Sequence, residues 1–421
     1  MSAKWLLFLR SFLFLTHLAA FSTPIHKAPA LNGTNVDRLA LLAIKSMIKG
    51  DPQGLLTSWN HSSTNFCHWQ GVTCSLHHQR VTHLNLSSGG LIGTLSPSVG
   101  NLSFLRVIQL FNNSFSGEIP PEIGRLFRLR QLRLVYNSFT GNIPATIMNC
   151  SNLQVLNLGN NNLVGKIPDW IGSLSMLSTL DLRNNSFTGN IPATITNCSN
   201  LQILQLGNNS MTGKIPDGIG SLSMLSILAL HDNILQGGIP PDIRRLFRLQ
   251  ELWLYNNSLT GNIPDTITNC SNLQILQMSN NSLTGKIPDG IGSLSMLSIL
   301  ALDDNILQGG IPPEIGRLFR LQELWLENNS LAGNIPTTIT NCSNLQILQL
   351  GNNSLTGKIP DGIGSLSMLS ILALHDNILQ GGIPPEIRRL FRLQELWLYN
   401  NSLTGNIPDT ITNCSNLQTF S

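Results

Sequence analysis

The chain has 421 residues, a net charge of +3 and only 11% charged residues. An average soluble domain carries about 25% charged residues; here Asn, Ser, Thr and Gly supply the polarity instead. The basic residues are scattered, which excludes the dense basic stripe that a nucleic-acid binder needs.

The first element is a signal peptide over residues 1–22. Lys4 precedes an apolar run, WLLFLRSFLFLTHLAAFS, that small residues close near Ala19–Ser22; a positive start, apolar middle and small polar end mark a secretory leader. Arg10 interrupts the run, which falls short of the roughly 20 uninterrupted apolar residues that cross a bilayer. No later stretch approaches that length, so membrane attachment would require a segment missing from the C-terminal side.

Residues 23–79 form a distinct second region. Leu39, Leu41, Leu42, Ile44, Met47 and Ile48 predict a helix with a broad apolar face, stopped by Gly50 and Pro52. Cys67 and Cys74, in CHWQGVTC, are a candidate local disulfide in an oxidising compartment.

From residue 80 to 421 the chain repeats. Stepping by 24 residues in both directions from Asn257 meets Asn at every step from Asn113 to Asn401, with Gly89 as a degenerate earlier copy. This gives about fourteen units, the last incomplete, each reading L-x-x-L-x-L-x-x-N-x-L-x-G-x-I-P-x-x-I-x-x-L. The alternating L-x-L is a strand with its leucines on one side. Asn, then Gly and Ile-Pro, turn the chain. One such coil cannot bury its leucines alone, but stacked coils form a parallel sheet over a continuous apolar interior. The repeated Asn then sits at an interior turn, where its amide satisfies backbone groups of the neighbouring coil. The first coil of such a stack exposes half its core, and the upstream helix can cover it.

Cys150, Cys198, Cys270, Cys342 and Cys414 replace the interior leucine of one column. They lie two or three coils apart, about 10–14 Å at the spacing of paired strands, whereas a disulfide spans at most about 7 Å between Cα atoms. They are expected to be unpaired and buried, as small hydrophobes. No His or Cys cluster stands at metal-ligand spacing, and no cofactor is expected.

A longer period of three coils is also present. Ser199–Cys270 and Ser343–Cys414 differ only at Met211/Leu355 and Asp242/Glu386. The intervening copy, Ser271–Cys342, differs from the last at seven positions, and three of these (Ser279/Gly351, Asp303/His375, Glu327/Tyr399) share the column just after L-x-L. That column points away from the core. Exposed positions drift freely, but the concentration of changes favours a recognition surface under diversification. Trp253, Trp325 and Trp397 lie between the strand leucines and also point outward. Tyr255 and Tyr399 follow two residues on, with Phe111 and Tyr136 nearer the N-terminus. Trp and Tyr dominate binding hot spots. With His231, Asp303, Glu327 and His375, these residues form the candidate contact set. The tryptophans would stand about 14 Å apart, which suits an extended peptide or a protein surface.

Two columns carry glycosylation sequons. One reads N-N-S, at Asn112, Asn184, Asn208, Asn256, Asn280, Asn328, Asn352 and Asn400; the other reads N-C-S, at Asn149, Asn197, Asn269, Asn341 and Asn413.

The segments LTGKIP, LQGGIP and LTGNIP resemble the L-x-G-x-I-P signature of plant-specific leucine-rich repeats. Upstream, DRLALLAIKSMIKGDPQGLLTSWN followed by C-x-W-x-G-V-x-C, met at Cys67, Trp69, Gly71, Val72 and Cys74, resembles the N-terminal cap of plant leucine-rich repeat receptor kinases and receptor-like proteins. The resemblance implies an α/β solenoid: a right-handed superhelix with a parallel sheet on its concave face and a helical N-terminal cap. It also implies extracellular perception of an immune or developmental signal. The ligand would be a peptide or protein held by aromatic and charged concave residues, with a co-receptor kinase ectodomain as a second partner. The expected location is the apoplast, or the outer plasma-membrane face if the complete product has a membrane span. The chain departs from the receptors in lacking span and kinase, and it ends within a coil at NLQTFS, which reads as truncation. The alternatives are a secreted protein similar to polygalacturonase inhibitors, which carry about ten repeats and a cysteine-bearing C-terminal cap, or a non-signalling receptor fragment.

Catalysis is not expected. His231–Asp232 and His375–Asp376 read as exposed, solvated pairs with no nucleophile at a fixed spacing. Dinucleotide, P-loop and kinase motifs are absent.

Overall fold

The computed structural model describes residues 33–60 and 65–421. The signal-peptide reading, residues 1–22, lies outside them.

Each repeat is one coil of a solenoid. The coil from Glu251 shows the pattern: a three-residue strand (Glu251–Trp253), a turn, a second short strand (Ser258–Asn262) and a 3-10 helix (Asp265–Asn269). Within the strand only Leu252 is buried, as the alternation of side chains requires. The 24-residue spacing sets the register, so Leu228, Leu252 and Leu276 pair in succession. Sixteen strands join in chain order into the main sheet. Its first pair, Val72–Cys74 against Val81–Asn85, is antiparallel and belongs to the cap; from Val81–Asn85 onward the pairing is parallel.

The turns explain the Asn column. The residue before each repeated Asn has φ between 50 and 57°, the left-handed region that Asn and Asp tolerate best. The next Asn then reaches inward. Asn257 donates from Nδ2 to the carbonyls of Leu230 and Leu254 at 3.0 and 3.1 Å, and its Oδ1 accepts from the Leu235 N–H at 3.0 Å. One side chain thereby satisfies backbone groups of its own coil and the preceding one, which are shielded from water.

The inward leucines and isoleucines of the coils, with Phe115, Phe139 and Phe187, merge into one core, whereas Phe127, Phe247, Phe319 and Phe391 stay exposed. The five repeat cysteines are unpaired and buried in it. The Cys270 thiol donates to the carbonyl of Ile243 at 3.4 Å, and the other four make the same contact one coil back. Burial pushes the thiols of Cys150, Cys198, Cys270 and Cys342 up to about 11.

The cap corrects two sequence expectations. Helix α1 spans Gly33–Ser46 and stops before Gly50. Ile48–Gly50 leaves the helix to pair antiparallel with Ile92–Thr94. The buried face of α1 is Asp37, Ala40, Leu41 and Ile44, a regular i, i+3, i+4, i+7 stripe; Leu39 and Met47 are exposed instead. Asp37 is wholly buried. Its carboxylate accepts from Arg80 Nε and Nη2 at 2.9 and 2.8 Å and from the Val81 N–H at 2.9 Å. This clamp ties the cap to the first coil. Cys67 and Cys74 form a disulfide, and Trp59 stacks on Trp69 beside it with centroids 5.6 Å apart. Among the described residues, no helix is long and apolar enough to cross a membrane.

Candidate recognition surface

The open face of the main sheet carries the candidate contact residues. Glu251 and Trp253 flank buried Leu252 and point outward together. Trp253 Nε1 donates to Glu251 Oε2 at 3.0 Å, and Trp325 repeats the bond to Glu323 at the same distance. The three tryptophans are half-buried rather than fully exposed.

Two of the three copies build the same ring cluster. His231 stacks on Tyr255 at 4.7 Å and lies 6.2 Å from Trp253. His375 stacks on Tyr399 at 4.8 Å and lies 5.5 Å from Trp397. The histidines are therefore not the exposed pairs read from the sequence: His375 is only 6% exposed, and His231 is half-buried. Each is sandwiched between the ring of the following coil and a glycine of the preceding one. A Cβ on Gly207 would meet the His231 ring at 2.5 Å, and one on Gly351 would meet His375 at 2.4 Å.

The middle copy packs differently at the same three heights. Ser279 replaces the glycine and donates its hydroxyl to Asp303, which replaces the histidine, and Glu327 replaces the tyrosine. A serine here would crowd an imidazole, so the Ser279 and Asp303 changes form one packing unit. Their shared column reflects contact between successive coils as well as exposure to a ligand. At the boundary between copies, His375 Nε2 lies 3.4 Å from Glu327 Oε1. Burial raises the Asp303 carboxyl above the ordinary carboxylate range. Burial also lowers the His231 imidazole; Asp232 opposes that effect and Arg183 adds to it.

Phe111 and Tyr136 stand at the N-terminal end of the face. Phe111 is half-buried, whereas Tyr136 is 54% exposed. Tyr136 holds φ 57° at a corner that Asn or Asp fills in every later coil. Arg106, Arg130 and Arg133 occupy the outward columns nearby. Sequence reasoning overlooked these arginines, although the 24-residue period places them there.

The N-N-S asparagines occupy the left-handed corner and form an outer row. Every one donates from Nδ2 to a side chain of the preceding coil: Asn208 to Asn184 at 2.9 Å, Asn256 to Asp232 at 2.6 Å and Asn112 to Ser88 at 3.2 Å are examples. The N-C-S asparagines end the 3-10 helices instead and are exposed. Among the described residues, no group of His, Cys, Asp and Glu could hold a metal ion.

Comparison with known proteins matches this architecture. The description "Leucine rich repeat N-terminal domain" covers residues 34–75. Leucine-rich repeat descriptions cover 127–187, 177–235 and 247–307, and a second set covers 104–126, 320–342, 344–366 and 392–414. The chain belongs to the leucine-rich repeat family. This leucine-rich repeat protein is 51% identical over 79 residues to a probable receptor-like serine/threonine-protein kinase of Arabidopsis thaliana, At3g47570, and 48% identical over 89 residues to the receptor-like kinase EFR of the same plant. These matches cover 19% and 21% of the chain and 8% of each relative, so the chain spans under a tenth of their length. Among solved structures it resembles the plant peptide hormone receptor RGFR1 in complex with RGF2. The TM-score is 0.81 and the identity 37%, over 84% of this chain and 60% of that one. The PEPR1–AtPEP1 structure follows at TM-score 0.64 and 32% identity, over 91% and 64%. A plant ice-binding protein shares the fold at TM-score 0.59 and 29% identity, over 66% and 89%. One solenoid thus serves different ligands, and the choice among them lies in the surface residues.

Proposed function

We propose that this protein recognises a peptide or protein ligand on the open face of its main sheet, outside the cell, as the sensing part of a plant receptor. The observation that carries the reading is the outward aromatic–carboxylate set, Trp253 with Glu251 and Trp325 with Glu323, on a scaffold whose solved neighbours include a peptide hormone receptor in complex. Contact would fall on Trp253, Tyr255, Trp325, Glu327, Trp397 and Tyr399, with Phe111 and Tyr136 extending it toward the N-terminus. His231, Asp303 and His375 shape the floor between the rings. Both histidines contact Trp and Tyr rings, and His375 also lies beside Glu327, an environment that gives neither a nucleophile to activate. A co-receptor kinase ectodomain is the second partner of this reading.

Secretion implies glycans, and the geometry favours the N-C-S column for them. Its asparagines are exposed at the ends of the 3-10 helices, away from the open face. The N-N-S amides are already engaged in the outer row beside that face. Glycopeptide mapping is expected to find sugar on Asn149, Asn197, Asn269 or Asn341 at higher occupancy than on Asn208, Asn256 or Asn280; the reverse order would mean that the face is covered.

The test of recognition is a random-peptide library panned against the protein and against Trp253→Ala/Trp325→Ala/Trp397→Ala. Peptides retained by the first and lost by the second are expected. Equal capture by both proteins would reject the surface.

A further inference from the structure

We propose that the ligand segment seated on the C-terminal half of the face is a cationic peptide, with Lys or Arg at about four-residue intervals. This rests on the recognition reading above and names the chemistry of the ligand.

Charge changes sign along the open face. The N-terminal coils present Arg106, Arg130, Arg133 and Arg183 outward, the last paired with Asp181 at 3.5 Å. Farther on, carboxylates take over. Glu251, Glu323 and Glu395 begin their strands. Asp303 and Glu327 follow their strands, and Asp232, Asp304 and Asp376 hold the left-handed corner. Arg248, Arg320 and Arg392 stand exposed on the rim before the strands, outside these rows. The chain as a whole is +3, so the acidity is local to the face.

Two further features match a cation. Each carboxylate that begins a strand is paired in sequence with a tryptophan two residues on, and in two coils the indole N–H holds it at 3.0 Å. A guanidinium or ammonium group laid over such an indole meets a π-face and a carboxylate together. Finally, the tryptophans repeat every three coils, about 14 Å, and an extended peptide advances about 3.3 Å per residue. A basic side chain every fourth residue therefore meets successive tryptophan–carboxylate pairs.

The experiment is the panning described above, read by the sequences of the captured peptides. Peptides that depend on the three tryptophans are expected to be enriched in Lys and Arg over the input library, at four-residue intervals. They are also expected to bind Glu251→Gln/Glu323→Gln/Glu395→Gln about tenfold or more weakly, by fluorescence anisotropy. Glutamine keeps an oxygen acceptor for the indole N–H, so this variant removes charge and leaves the tryptophans held; unchanged thermal unfolding checks that. Tryptophan-dependent peptides that are neutral or acidic, or that bind the Gln variant as tightly as the original, would overturn the cationic inference and leave the recognition surface standing. If no captured peptide depends on the tryptophans, both readings fall.

Discussion

Tyr136 sits at a backbone corner where Asn or Asp fills every later coil. A left-handed conformation costs roughly 1–2 kcal/mol for an ordinary residue and less for Asn. Tyr136→Asn is therefore expected to raise unfolding free energy by about 1 kcal/mol in urea titration. If Tyr136 touches ligand, the same change weakens binding while stabilising the fold. The His375 site gives a second residue-scale prediction. Gly351→Ser alone forces a side chain against the imidazole and is expected to cost about 1–3 kcal/mol, as overpacking does. Adding His375→Asp rebuilds the Ser279–Asp303 arrangement, so the double variant is expected to recover most of that loss; strictly additive effects in the cycle would refute the coupling. A third prediction concerns pH. Burial lowers the His231 imidazole, so the unfolded chain takes up a proton before the folded one does. Its full contribution is present above the unfolded value near 6.5 and is lost as pH falls below it. His231→Gln is expected to lose less stability than the original protein between about pH 7 and 5, by urea midpoint.

At the scale of elements, the cap depends on one buried ion pair. Asp37 is wholly enclosed and accepts three hydrogen bonds from Arg80 and Val81. Removing one partner strands the other charge, which typically costs about 3–5 kcal/mol. In a solenoid each coil contacts only its neighbours, so the damage should stay local. Hydrogen exchange of Asp37→Ala is expected to speed up in α1 and the Val81–Asn85 strand, with the strands from Ile275–Gln277 onward unchanged. Uniform acceleration along the chain would show that the coils unfold as one unit. The sequence pattern could not find this clamp. A lone Asp inside an apolar helix reads as a solvent-side residue until the Arg80 contact, made across 43 positions of sequence, is known.

At the scale of the whole molecule, one core runs through every coil and contains a column of thiols. Four are held up to about 11 by burial. The folded chain keeps those protons after the unfolded chain releases them, so their contribution is intact below about pH 8.5 and lost as pH rises toward 11. Native thiols are expected to resist alkylation at pH 8 and to react fully once urea unfolds the chain. The open face draws its character from the same stacking. A residue repeated every 24 positions becomes a row, and rows of different charge divide one sheet into a basic and an acidic half.

Periodicity by itself determined the solenoid, the inward leucines, the structural Asn column, the unpaired cysteines and the outward tryptophans. Each follows from a side chain's place within one coil, and a strict repeat encodes that place directly. Only the tertiary structure decided which residues meet between coils and across the cap. It moved the helix end from Gly50 to Ser46, buried Asp37, and laid His231 and His375 between a glycine and a tyrosine. It thereby turned Ser279 and Asp303 into one packing unit. These contacts depend on coil-to-coil register and on side-chain volume at close approach, neither of which a linear pattern carries.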